Sequence, residues 1–152
     1  MELKVLKNIH RGMYVEFNIS GDEAHYNFWH SDSLYLYEPI YGVFVESFKK
    51  SVEKFNYYGP TLVTASELSQ LQQELENSKK EFESITSSDD LVYKIAQSKL
   101  GKNFLVEFEG QSCDLQTQWK SVVSSLKEIN ETLVELIRKC IQEKRVLWVL
   151  GM

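Results

Sequence analysis

Proline, cysteine and histidine are scarce in this 152-residue chain, which holds two, two and three of them. The cysteines, Cys113 and Cys140, stand 27 positions apart with no C-x-x-C pair, so neither a zinc ribbon nor a thioredoxin-like redox pair is expected. A disulfide between them would need Cα atoms about 4.4 to 6.8 Å apart, and free thiols are the expectation for a cytosolic chain. His25 and His30 are five apart in "HYNFWHSD", on opposite faces if that stretch is extended, so they do not predict a shared metal. The H-E-x-x-H, Walker, G-x-G-x-x-G and G-x-S-x-G signatures are missing, and each absence removes a class of enzyme. No apolar run approaches the roughly 18 residues of a membrane span, and residues 1 to 20 carry no apolar signal core. A formal net charge of −5 lacks the basic footprint of a nucleic-acid binder. The expectation is a cytoplasmic protein with no cofactor, no metal, no membrane contact and no direct nucleic-acid binding, monomeric or weakly dimeric.

With 43% apolar and 12% aromatic residues, the chain can bury the core of a single domain spanning residues 1–152. "MYVEFNI" from Met13 to Ile19 alternates apolar and polar side chains, the period of a half-buried strand. "ELKVLKNI" before it suggests a hairpin partner turned at His10-Arg11-Gly12. "AHYNFWH" and "SLYLY" are β-prone stretches separated by Ser31-Asp32-Ser33. Together these predict a small antiparallel sheet of three or four strands.

Glu38-Pro39 suits a first helical turn, and Tyr41, Phe44, Val45, Phe48, Val52 and Phe55 then recur at helical spacing. Gly59-Pro60 would stop that helix, which makes "FNYYGPTLVTASELSQLQQEL" a helix-to-helix joint. Thr64 and Glu67 have capping-box spacing for a second helix with Leu68, Leu71, Leu75, Phe82 and Ile85 inward. Ser87-Ser88-Asp89-Asp90 starts a short helix ending near Gly101. "KNFLVEFEG" is ambiguous, and the alternation of Phe104, Val106 and Phe108 favours a strand. After Asp114, the residues Trp119, Val122, Leu126, Ile129, Leu133, Leu136 and Cys140 mark a long helix, and "RVLWVLG" a terminal strand that joins the N-terminal sheet. The fold class predicted is α+β: a small antiparallel sheet packed against several helices, with a long C-terminal helix followed by a terminal strand.

Asp22, Glu23 and Asp32 near His25 and His30 could do general acid–base work only if burial moved them toward neutrality, and turn carboxylates are ordinarily solvated. Cys140 lies on an apolar stripe and reads as a core residue. Cys113 sits beside a helix start, which could activate it mildly. The aromatic run Tyr26, Phe28, Trp29, Tyr35 and Tyr37 reads as sheet packing, yet amphipathic aromatics are also enriched at binding hot spots. Tyr57 and Tyr58 cannot easily both point inward. From Asp22 to Asp90 there are thirteen carboxylates against five lysines, a balance of −8, while the rest of the chain carries +3. That middle is either a solvated face or a surface that steers a basic partner. Not an enzyme is the expectation.

The span "FNYYGPTLVTASELSQLQQEL", leading into a polar helix, and the long last helix running into "VLWVLG" resemble the small immunity proteins of bacterial polymorphic toxin and contact-dependent growth inhibition systems. The resemblance implies a cytosolic protein that binds the toxic C-terminal domain of a cognate effector, often a nuclease, and blocks its active site or substrate groove. No catalytic residues come with it. The candidate partner-binding residues are Glu74, Glu76, Glu81 and Glu83 on the second helix, Tyr57 and Tyr58 at the joint, and Trp29 and Asp32 in the aromatic stretch. The alternative is a non-enzymatic adaptor or assembly protein acting through its helical surface.

Overall fold

In the computed structural model, which describes residues 1–9 and 12–151, the period-two stretch forms β1 (Tyr14–Asn18). Leu34–Tyr37 forms β2, Pro60–Val63 β3 and Leu147–Gly151 β4. The four make one antiparallel sheet in the order β2-β1-β4-β3. The terminal strand joins the N-terminal sheet, as expected, and the pairing places it beside β1. Five helices complete the described fold: α1 (Glu38–Ser51), α2 (Ala65–Glu83), α3 (Ser88–Ile95), α4 (Lys99–Gly110) and α5 (Leu115–Gln142). The α+β class and the long last helix followed by a strand are as expected.

Val15 and Phe17 point from β1 toward the helices, where Phe17 meets Tyr41 edge-on at 5.9 Å and lies 6.0 Å from Phe48. The α5 stripe Val122, Leu126, Ile129, Leu133, Leu136 and Cys140 is buried, with Trp119 only partly covered, and it belongs to the same core cluster as α1 and α2. α2 runs antiparallel along α5, with Lys79 paired to Glu131 and Glu76 to Arg138. At the crossing of α1 and α4, Gly42 approaches so closely that a Cβ there would sit 2.6 Å from the Leu100 carbonyl oxygen.

Several expectations need correction. "KNFLVEFEG" is helical, part of α4: Ser98 accepts a hydrogen bond from the Gly101 N–H at 2.8 Å, and Phe104 and Phe108, four apart, are buried while Val106 faces solvent. Phe104 and Phe108 fit both periods; the exposed Val106 fits only the helix. The segment after α1 is not a helix-to-helix joint. α1 stops at Ser51 with Val52 already extended, and Pro60 opens the edge strand β3, a position where its missing N–H costs no ladder bond. The Thr61 hydroxyl ties the intervening turn by accepting from the Asn56 N–H and donating to the Asn56 carbonyl, both at 2.9 Å. α3 ends at Ile95 rather than near Gly101. "AHYNFWH" is loop, and "ELKVLKNI" contributes only a bridge between Leu6 and Tyr35. Of the expected turn, His10 and Arg11 lie outside the described residues. The Thr64 and Glu67 cap is as read: the Glu67 carboxylate accepts from the Thr64 N–H at 2.9 Å and also from the Glu53 N–H at 3.0 Å.

Candidate functional site

Period-two reading sends Glu16 and Asn18 to solvent, and the structure buries both completely. The cause is the connection between β1 and β2. Residues from Ile19 to Ser33 are far more than a hairpin turn needs, and they fold back over the face of the sheet opposite the helices. Glu16 lies in a cross-strand row between Tyr35 and Leu150, which are themselves buried apart from the helix-side core. In the next row Asn18 stands opposite Trp148.

These outer-face side chains hold the loop at several points. Asn18 Nδ2 donates to Glu16 Oε1 at 2.9 Å and to the Asn27 carbonyl at 2.7 Å, while Asn18 Oδ1 accepts from the Ser20 N–H at 2.9 Å and hydroxyl at 2.6 Å. Glu16 Oε1 accepts from the Ser33 hydroxyl at 2.6 Å and the Trp29 N–H at 3.1 Å. Trp148 Nε1 donates to the Asp22 carbonyl at 2.8 Å, and its ring lies 4.7 Å from that of Tyr26. Arg145 Nη1 donates to the Ile19 carbonyl at 3.3 Å. Gly21 makes the tight return possible, because a Cβ there would fall 1.8 Å from the His25 carbonyl oxygen.

The loop carries two large aromatics outward. Phe28 is 55% exposed and Trp29 59% exposed, and Trp29 adopts φ +58°, a left-handed conformation that bulky residues rarely take. The Trp29 ring stacks on Tyr35 at 6.1 Å and the Phe28 ring meets Tyr26 edge-on at 4.9 Å, so each is braced by a neighbour while more than half of it stays exposed. Asp22, Glu23 and Asp32 are exposed on the same loop. From Gly12 to Phe48 the sequence has no lysine or arginine, which leaves the loop's own charge acidic apart from His25 and His30. Asp22 is held below the usual carboxylate range by the backbone N–H groups of Ala24 and His25.

The other candidates are dispersed. Tyr57 packs inward, stacked on buried Tyr41 at 5.9 Å with its hydroxyl donating to Glu38 at 2.7 Å, and burial followed by that hydrogen bond raises its phenol. Tyr58 points out, 83% exposed, beside the last residues of β4. The four α2 glutamates do not share a face. Glu74 and Glu81 lie on one flank, near Lys50 of α1 at 3.9 Å and paired with Lys94 of α3, whereas Glu76 on the opposite flank pairs with Arg138 of α5 at 3.2 Å. Glu83 shares the flank of Glu76 and is exposed. Between the flanks runs an exposed ridge of Ser66, Ser69, Gln73, Asn77, Lys80 and Ser84, which carries no carboxylate.

His25 is exposed beside Asp22, at 3.5 Å, and the Asp32 N–H donates to His30 Nδ1 at 3.2 Å. Among the described residues no group of three or more His, Cys, Asp and Glu side chains is arranged to hold a metal ion, and no helix is long and apolar enough to cross a membrane. Both cysteines are free, and burial pushes the Cys140 thiol up to about 11. A cleft of about 630 Å³ opens between α1, the end of α2 and α3, lined by Val43, Ile85, Ile95 and Tyr93 with Glu46, Lys50, Glu81, Asp90 and Lys94. Its charges are largely engaged within the fold, Lys94 with Glu81, Glu46 with Lys49, and Asp90 with Thr86. Sequence reasoning named Trp29 and Asp32 but missed Glu16 and Asn18; the signal that could have found them is the length and aromatic content of the β1–β2 connection, which has to cover something. Comparison with protein families, characterised proteins and solved structures finds no match to this chain.

Proposed function

We propose that this domain is a non-enzymatic binding protein of the immunity type, which works in the cytoplasm by occupying one cognate toxin domain in a one-to-one complex. The observation that carries the reading is the pair Phe28 and Trp29, held outward on a loop pinned to the sheet and accompanied by Asp22, Glu23 and Asp32. Exposed aromatics braced by a neighbour are the usual anchors of protein interfaces, and a surrounding acidic rim speeds encounter with a basic surface. A nuclease domain, whose substrate groove must be basic to hold phosphates, is the toxin class that such a surface fits best. Tyr58, beside Val15, Glu38 and Gly151 at the other end of the β1–β4 ladder, stands apart from this surface. The α2 glutamates support it less, since three of the four stand beside cations of neighbouring helices.

The adaptor alternative would act through the helices, where the large exposed apolars Tyr93, Val106 and Ile141 stand singly on α3, α4 and α5. Isolated apolars of this kind are ordinary surface. Co-expression with a candidate cognate toxin domain separates the readings. The wild-type domain should protect the cell, and the Phe28→Ala, Trp29→Ala double variant should fold and fail to protect. Death at the control rate with the wild-type domain present would remove the immunity reading.

A further inference from the structure

We infer that Glu16 is a positioning residue: buried beneath the β1–β2 loop, it holds the Trp29 backbone in its left-handed conformation and so presents the aromatic pair before any partner arrives. The inference rests on the reading of Phe28 and Trp29 as the contact surface, but its test does not require the partner. Three donors from separate places in the chain converge on Glu16 Oε1: the Asn18 amide of β1 at 2.9 Å, the Trp29 N–H of the loop tip at 3.1 Å and the Ser33 hydroxyl at the entry to β2 at 2.6 Å. The second oxygen, Oε2, lies 3.4 Å from the Trp29 nitrogen. All three partners are neutral, and burying a carboxylate among neutral groups is costly unless its lone pairs are well satisfied. An apolar side chain would fill the place between Tyr35 and Leu150 more cheaply. It could not supply acceptors that fix a turn.

The conformation being fixed is itself unfavourable. A tryptophan at φ +58° persists only where its surroundings over-determine it, and the surroundings here are the bond to Glu16 below and the stack on Tyr35. A loop ordered in this way in the free protein does not have to be ordered during association, which is how preorganisation strengthens binding without adding a contact. Glu16 would therefore govern affinity although it is fully buried and cannot touch a partner.

Amide hydrogen exchange of the free, full-length protein tests this, with the ladder amides of Phe17, paired with Leu34 of β2, and Val149, paired with Thr61 of β3, as internal controls. In Glu16→Gln the Trp29 amide should exchange roughly tenfold faster than in wild type, the change expected for loss of a charge-assisted bond. Glu16→Leu, which removes the acceptor, should exceed that. The ladder amides should keep their protection in both. If Glu16→Leu does not fold, the near-isosteric Glu16→Gln decides alone. Unchanged Trp29 exchange would overturn the inference, and so would equal acceleration of Trp29 and the ladder, because the residue would then be a general stabiliser. Failure of the co-expression experiment together with selective acceleration at Trp29 would instead leave the clamp standing and remove the binding reading.

Discussion

Asn18 and Trp148 face each other across the β1–β4 ladder, and each sends a hydrogen bond into the same loop: Asn18 to the carbonyl of Asn27 and Trp148 to that of Asp22. Two strands that lie far apart in sequence thus jointly carry the cover over the outer face of the sheet. Truncating the two should have unequal effects. Asn18→Ala removes donors from buried Glu16 and from Asn27, and should lower stability by about 1 to 3 kcal/mol. Trp148→Phe keeps an aromatic ring against Tyr26 and loses only the indole donor, so the shift should be below about 1.5 kcal/mol. Urea midpoints at constant m would measure both. A larger loss in Trp148→Phe would contradict this division of roles.

Charge reversal on α2 and truncation of the loop aromatics discriminate between the two candidate contact surfaces. Glu74→Lys, Glu76→Lys and Glu83→Lys together should leave the fold intact, because exposed ion pairs contribute little. Association with a toxin domain, followed by stopped flow at low and moderate salt, should slow only modestly. Phe28→Ala with Trp29→Ala should weaken the complex far more, through faster dissociation. The reverse ranking would move the interface to α2.

Leu126 and Leu133 lie one above the other on the buried stripe of α5, both almost wholly inaccessible. Replacing either with alanine leaves a cavity in the core, with an expected loss of about 2 to 5 kcal/mol. Thermal or chemical denaturation would show it, and an unchanged midpoint would place that stripe outside the cooperative core.

Alkaline pH should destabilise the protein. Burial raises the Tyr41 phenol well above its ordinary value of 10.0 and lifts the Cys140 thiol from 9.0 to about 11. The unfolded chain therefore releases these protons at a lower pH than the folded one. Their stabilising contribution is complete below pH 9 and declines as the pH rises through 9 and 10 toward 11. Tyr41→Phe should flatten the decline. At neutral pH it should cost little, since the Tyr41 hydroxyl has no hydrogen-bond partner among the described residues. A steeper alkaline loss in Tyr41→Phe would contradict the assignment.

The elements legible in the sequence are those whose burial pattern is set within a few turns of chain. α5 follows from its three-and-four spacing, α2 from the Thr64 and Glu67 cap, α1 from Glu38-Pro39, and β1 and β4 from short β-branched and aromatic runs. These features work through neighbours two to four positions away, so the local pattern already determines them.

The rest depended on groups distant in sequence. Phe104 and Phe108 satisfy either period, and only packing of α4 on α1 at Gly42 and Leu100 resolves them as a helix. Pro60–Val63 becomes a strand because β4 offers an edge to pair with. Glu16 and Asn18 read as solvent-facing because alternation tells which side chains share a face of a strand and nothing of what covers that face. Glu16 meets Trp29 and Ser33, 13 and 17 positions on, Asn18 meets Asn27, nine positions on, and the loop above them is anchored by Trp148, 126 positions beyond Asp22. Composition and periodicity thus determined an acidic α+β domain with one hydrophobic core. Tertiary structure alone decided that Trp29 stands outward over a buried carboxylate, because a loop's conformation is set by the donors and acceptors that long-range folding brings beneath it.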